Sequence, residues 1–186
     1  AVNTVVNRDG KLYGYNTDYF GMNALIRRLR LSLKGAKILI LGTGGTSKTA
    51  YAVCEDLGAG KIITVSRNAA EGQVTYEDAV SLHSDADVII NTTPCGMYPD
   101  VEASPIDLAP FTQLEGVIDA VYNPLCTNLV LDAKERGIKA EGGVALLAAC
   151  DGLEDQIAGR ALFHRFHLGG HMGQHADLGG NLPMLL

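Results

Sequence analysis

Ile40-Leu41-Gly42-Thr43-Gly44-Gly45-Thr46-Ser47 is the stretch on which the reading of the fold turns. It follows Lys37 to Leu41, a short apolar run of buried-strand type. It precedes a segment whose Tyr51, Ala52, Val53 and Leu57 recur at helical spacing until Gly58. Gly42 permits the tight turn between the two. Gly44 lets backbone N–H groups approach a diphosphate, and the helix start adds partial positive charge. Ser47 stands where a dinucleotide loop wants a third small residue for helix–strand packing. Gly42, Thr43, Gly44, Gly45, Thr46 and Ser47 are therefore candidate cofactor-binding residues. A nucleoside-triphosphate loop is the competitor, because Lys48-Thr49 follows. That motif needs a glycine directly before its lysine, where this chain has Ser47, so it is set aside.

Downstream of the loop the chain keeps alternating. Ile62 to Val65, Asp87 to Ile90, Val117 to Val121 and Ile138 to Ala140 read as strands, and Thr127 to Arg136 as a helix ended by Gly137. Strands and helices in this rhythm imply a parallel sheet covered on both faces. The expected fold class is α/β, a Rossmann-like, doubly wound, mostly parallel sheet. Upstream, Thr4-Val5-Val6 and Leu12-Tyr13 flank Asp9-Gly10 as a hairpin. Asn16-Thr17-Asp18 then starts a helix carrying Met22, Leu25, Ile26, Leu29 and Leu33 and closed by Lys34-Gly35. The division expected is residues 1–35, hairpin and linking helix; 36–160, the dinucleotide-binding domain; and 161–186, a C-terminal tail broken by Gly169, Gly170, Gly173, Gly179 and Gly180.

Composition narrows the function classes. The 186 residues are 47% apolar and carry a net charge of −6, with a pI near 5.3 and a mean hydropathy of +0.11. That is a globular composition with no electrostatic footprint for nucleic acid or an anionic membrane. No apolar run approaches the ~20 residues of a membrane span. Cys54, Cys95, Cys126 and Cys150 form no Cys-x-x-Cys pair, so reduced thiols in a cytoplasmic protein are expected. The assembly expected is a homodimer.

At the end of the second strand of the alternation stands Ser66-Arg67-Asn68. An NAD site usually has Asp or Glu here for the ribose hydroxyls. An arginine instead pairs with a 2′-phosphate and stacks on adenine. NADP is the cofactor expected, with Ser66, Arg67 and Asn68 at its adenosine end; a solvated surface arginine is the alternative.

Five segments, in order, resemble the shikimate/quinate dehydrogenase family. They are Ala1-Val2-Asn3-Thr4; Gly14-Tyr15-Asn16-Thr17-Asp18 with Gly21; the glycine loop; Asn91-Thr92-Thr93-Pro94-Cys95-Gly96-Met97; and Asp119-Ala120-Val121-Tyr122-Asn123-Pro124 with Thr127. The resemblance spans roughly residues 1 to 143. It implies NADP-dependent interconversion of 3-dehydroshikimate and shikimate, a step toward chorismate and the aromatic amino acids. Quinate dehydrogenase is an alternative substrate reading, and a non-catalytic NADP-binding sensor is a third.

The resemblance also implies roles. Asp18 is the catalytic carboxylate beside the substrate hydroxyl, though a helix cap explains the same residue. Asn3, Thr4, Asn16 and Tyr122 are substrate-binding candidates; a plain rim position also explains Tyr122. Asn91, Thr92, Thr93, Pro94, Met97, Val121 and Gly143 are placed at the nicotinamide end. The family's acid/base lysine comes from a motif upstream of Ala1, and no residue of this chain matches it. The chain is therefore expected to be a C-terminal cofactor-binding portion with a hairpin remnant of the substrate domain, inactive alone. Cys150 falls where the family has a substrate-touching glutamine, and Gln156 is the substitute in a shifted register. His164, His167, His171 and His175 would share a helical face, but Gly169, Gly170 and Gly173 interrupt it, and no metal site is assigned.

Overall fold

The computed structural model describes residues 2–148 and 164–165. Strand β3 (Lys37–Leu41) is central to a six-stranded sheet, because four of its five residues are buried from both sides. Its neighbours are β4 (Lys61–Val65) and β6 (Val88–Asn91). β5 (Gln73–Val74) lies outside β4, while β7 (Gly116–Asp119) and β8 (Lys139–Glu141) follow β6. The order is β5-β4-β3-β6-β7-β8, every pair parallel. Strand order therefore reverses between β3 and β6, and a crevice opens beyond the carboxyl ends of those two strands.

Side-chain alternation divides the core into two layers. Ile38, Ile40, Val88, Ile90 and Ile118 point toward α1 (Thr17–Arg28) and α2 (Gly45–Asp56), meeting Met22, Leu25, Ile26, Ala50 and Val53. Leu39, Leu41, Ile63, Val65, Ile89 and Val117 point the other way. There they meet α3 (Tyr76–Leu82), α4 (Asn128–Glu135) and the 106–114 connection, through Ala79, Leu129, Val130, Phe111 and Leu114. Both faces are covered, so the α/β, Rossmann-like, doubly wound reading holds. Gly116 lies close under Leu31, whose Cδ1 would stand 2.5 Å from any Cβ there.

The N-terminal hairpin is present as β1 (Thr4–Arg8) and β2 (Lys11–Tyr15), turned by Asp9 and Gly10 at positive φ. A third antiparallel strand, β9 (His164–Arg165), pairs with β1 through Thr4 and Val5. His164 and Arg165 belong to the stretch expected as tail, ahead of its glycines. Cys150, Gln156, His167, His171, His175 and the glycines from Gly169 onward lie outside the described residues, as does Ala1.

Several elements differ from the sequence reading. The first helix ends at Arg28, not near Lys34. Arg30 takes a left-handed φ of 53°, and Leu31 N–H returns to Ile26 O, closing the last turn early. Leu33 is buried all the same, from an extended segment. The fourth strand of the alternation stops at Asp119 and excludes Val121, because the Asp119 carboxylate captures the Val121 N–H. β5 and α3 went unread: two residues of strand have no period, and a seven-residue helix with only Ala79 buried shows no stripe.

Candidate functional site

A cleft of about 770 Å³ lies at the point where strand order reverses. Gly42, Thr43 and Gly44 form one wall, Ser66, Arg67 and Asn68 a second, and Thr92, Thr93 and Pro94 a third. These nine sequence-predicted residues are brought together from three separate loops. The volume suits a nucleotide-sized ligand.

The glycine wall is prepared for an anion. Helices α1, α3 and α4 are each capped by a side chain, from Asn16, Thr75 and Thr127. Helix α2 has Gly44 at its N-cap, with no side-chain cap and no acidic residue in its first turn. Its leading N–H groups and positive dipole end are thus left for an external partner. Gly44 and Gly45 have open space where a Cβ would stand. Gly42 is different: its φ is +106°, and a Cβ would lie 2.9 Å from Thr92 Oγ1 and 3.0 Å from Thr93 Cγ2. Thr92 is fixed in turn, its Oγ1 and N–H both donating to Leu41 O at 2.6 and 2.9 Å. The glycine loop and the Asn-Thr-Thr loop are locked edge to edge, and the open space at Gly44 and Gly45 before the uncapped helix start fits a diphosphate.

The second wall carries the charge. Arg67 is exposed and makes no ion pair among the described residues. Its field opposes the burial that pushes the Tyr76 phenol and the Cys95 thiol above their ordinary values. Tyr76, Cys95, Asp100, Ser104 and Pro105 also line the cleft. The sequence reading missed all five as site residues. Cys95 sits inside a motif it quoted, whereas Tyr76 belongs to the helix with no periodic signal.

The third wall is held from below by a buried polar network. Asp119 and Asn91 are both fully buried. Asp119 accepts hydrogen bonds from Asn91 Nδ2 at 2.9 Å, Val121 N at 3.0 Å and Thr127 Oγ1 at 2.6 Å. Asn91 Oδ1 accepts from Thr93 N–H at 3.0 Å and Thr93 Oγ1 at 2.7 Å. Burial pushes the Asp119 carboxyl above its ordinary value, against the three donors that favour its charge. Asn91, read as lining the nicotinamide end, lies beneath the cleft instead, its side chain spent on this network. Asp119 was quoted in a motif without a role, although an acid at the end of an otherwise apolar strand is itself a signal.

The remaining nicotinamide-end candidates, and the substrate-binding candidate Tyr122, stand apart from the cleft lining. Met97 and Tyr122 are exposed, on loops joined by Tyr98 N–H donating to Asn123 O. Val121 is buried. Gly143 presses against it: a Cβ would fall 2.3 Å from Ala120 O, and the Gly143 N–H donates to Val121 O at 2.8 Å. Its missing side chain serves backbone packing. Gly45, Thr46 and Ser47 form the first turn of α2, and Ser47 is buried there.

At the hairpin side, Asn16 caps α1 by accepting from Tyr19 N–H, and its Nδ2 reaches Thr49 Oγ1 of α2 at 3.4 Å. Asp18 is therefore not the cap. It is half-buried in the first turn of α1, with no hydrogen bond or ion pair among the described residues, and it does not line the cleft. Asn3 Oδ1 is committed to Thr17 N–H at 2.8 Å. Thr4 is buried, its hydroxyl donating to Asn3 Oδ1 at 3.3 Å.

No family model matches the chain. It is 35% identical over 156 residues to the shikimate dehydrogenase (NADP(+)) of Clostridium perfringens, covering 79% of this chain and 58% of that protein. Among solved structures, the chorismate mutase/shikimate 5-dehydrogenase fusion protein from Clostridium acetobutylicum superposes with a TM-score of 0.77 at 34% identity, over 84% of this chain and 59% of that one. Shikimate 5-dehydrogenase from Thermus thermophilus, solved with NADP(H) and shikimate, gives 0.72 at 29% identity, over 84% and 61%. The chain thus spans somewhat over half the length of the relatives it matches. Among the described residues no helix is long and apolar enough to cross a membrane.

Proposed function

Since the chain is a homologue of NADP(+)-dependent shikimate dehydrogenases over most of its own length, we propose that it is the cofactor-binding portion of an NADP-dependent oxidoreductase interconverting 3-dehydroshikimate and shikimate. The observation that carries this reading is the uncapped start of α2 at the reversal of strand order, facing an arginine that forms no ion pair among the described residues. A homodimer in the cytoplasm is part of the same proposal.

Each element then has a task. The N–H groups at Gly44 to Thr46 receive the diphosphate, and Arg67 receives the 2′-phosphate and covers the adenine. Bound nicotinamide supplies hydride exchange. Thr92, Thr93 and Pro94 shape the wall on the way to it, with Met97 and Gly143 beyond. Asp18 accepts a hydrogen bond from the substrate hydroxyl, and Asn16 and Tyr122 orient the ring. Asn3 has its Nδ2 left for the same purpose. Gln156 is assigned to substrate on the resemblance alone.

Calorimetry on the 186-residue chain tests the cofactor half. NADPH is expected to bind more tightly than NADH. Arg67→Ala is expected to weaken NADPH by about 30-fold, the worth of a charge-assisted contact, and NADH by less than about threefold. Equal affinities for the two cofactors in the unaltered chain would refute the assignment. For the chemistry, any longer polypeptide that carries this chain and oxidises shikimate should lose about 100-fold in kcat on Asp18→Asn, with NADPH affinity unchanged. A kcat within about threefold of the unaltered enzyme would remove Asp18 from the reaction.

A further inference from the structure

Behind the glycine loop, on the α2 side of the sheet, lies a second cavity of about 260 Å³, lined by Thr43, Ser47, Lys48, Tyr51, Thr64 and Gln73. Thr43 lines both this cavity and the large cleft, so the two meet at that residue. They also share a turn. Ser66, Arg67 and Asn68 leave β4 into the large cleft, and the same turn re-enters the sheet at Gln73, beside Thr64, in the small cavity. Ser66 N–H donates to Val74 O at 2.9 Å and closes the base of that turn.

The lining of the small cavity is biased toward an anion. It contains one cation and no carboxylate. Lys48 is exposed and forms no ion pair among the described residues. Gln73 Oε1 is already taken by Ala70 N–H at 3.2 Å, which leaves its amide N–H groups as the free donors. Thr43 and Thr64 add hydroxyls. Glu71 lies in the turn but lines neither cavity.

We propose that Lys48 is a second specificity-determining cation for the 2′-phosphate of NADP, set opposite Arg67 across Thr43, with the Gln73 amide as a neutral donor. The assignment rests on the cofactor reading above. Its logic is that one phosphate seated where the two cavities meet is reached from the large cleft by a guanidinium carried on a turn. From the small cavity it is reached by an ammonium one helical turn past the diphosphate site. A dianionic phosphate monoester can satisfy both, and NADH offers neither cation an anion.

Calorimetry with NADPH, NADH, 2′-AMP and 5′-AMP on the unaltered chain, Lys48→Met and Lys48→Arg separates the possibilities. Lys48→Met is expected to weaken NADPH and 2′-AMP about tenfold, in line with loss of one exposed charge-assisted contact, and to leave NADH and 5′-AMP within about twofold. Lys48→Arg is expected to retain most of the preference. Equal weakening of NADPH and NADH would overturn the proposal, since Lys48 would then serve the diphosphate. An unchanged NADPH-to-NADH ratio in Lys48→Met, beside a lost preference in Arg67→Ala, would overturn it while leaving the cofactor reading intact. Absence of any dinucleotide binding by the unaltered chain would defeat both.

Discussion

Asp119→Ala is expected to destabilise the fold by about 3–5 kcal/mol, the range for removing the acceptor from a buried charged network. The substitution strands three donors at once: Asn91 Nδ2, Val121 N–H and the Thr127 hydroxyl. Water cannot take the carboxylate's place freely, because Asp119, Asn91 and Thr127 are all buried. A domain of this size is stable by only about 5–15 kcal/mol, so the loss is a large part of the whole. Denaturant unfolding followed by circular dichroism measures it, and a loss under about 1 kcal/mol would mean that the network is dispensable. Asp119→Asn keeps the volume and an acceptor toward Asn91, and is expected to cost about 1–2 kcal/mol.

The same carboxyl has a pH signature. Burial raises its pKa in the folded chain, so the folded state holds the proton to higher pH than the unfolded state does. The stability contributed by protonation is complete below about pH 4, the ordinary carboxylate value, and is lost as pH rises through the elevated one. The advantage of the unaltered chain over Asp119→Asn should therefore widen on acidification from neutrality. A gap that narrows instead would show that the three donors outweigh burial.

Gly42→Ala should weaken binding of NADPH and NADH alike, in contrast to the selective effects of Arg67 and Lys48. At φ +106° an alanine is strained whatever the space around it. Space is also lacking, with Thr92 Oγ1 at 2.9 Å from the new Cβ and tethered to Leu41 O. Strain and overlap together are worth roughly 2–4 kcal/mol. The chain can relieve them only by parting the glycine loop from the Asn-Thr-Thr loop, which opens the diphosphate seat. Fluorescence titration with NADPH should show at least about a 30-fold loss, the equivalent of about 2 kcal/mol. An affinity within about threefold of the unaltered chain would show that the seat does not depend on this turn.

What could be read from the sequence alone was whatever local physics repeats. The apolar runs at Lys37 to Leu41 and Ile62 to Val65 carry no polar alternation and announce a parallel sheet covered on both faces. Gly42 announces a turn that other residues resist, and Arg67 after a strand announces a cation where an acid is common. Such signals lie within a few residues of the feature they report. The short elements between Asn68 and Leu82 had no period to show, and the early end of α1 hung on one left-handed residue, Arg30.

Only the tertiary structure decided which polar residues face the cleft and which hold the loops. Asn91 and Thr93 sit two residues apart in one motif, yet one is spent on Asp119, 28 positions away, while the other lines the cleft. Thr4 is sealed in the hairpin sheet, and Asp18 is freed of capping because Asn16 already supplies the cap. The physical reason is that a hydrogen-bonding side chain is indifferent to whether its partner is protein or ligand. The choice is made by which strands lie side by side, and that adjacency arises from packing across the whole chain.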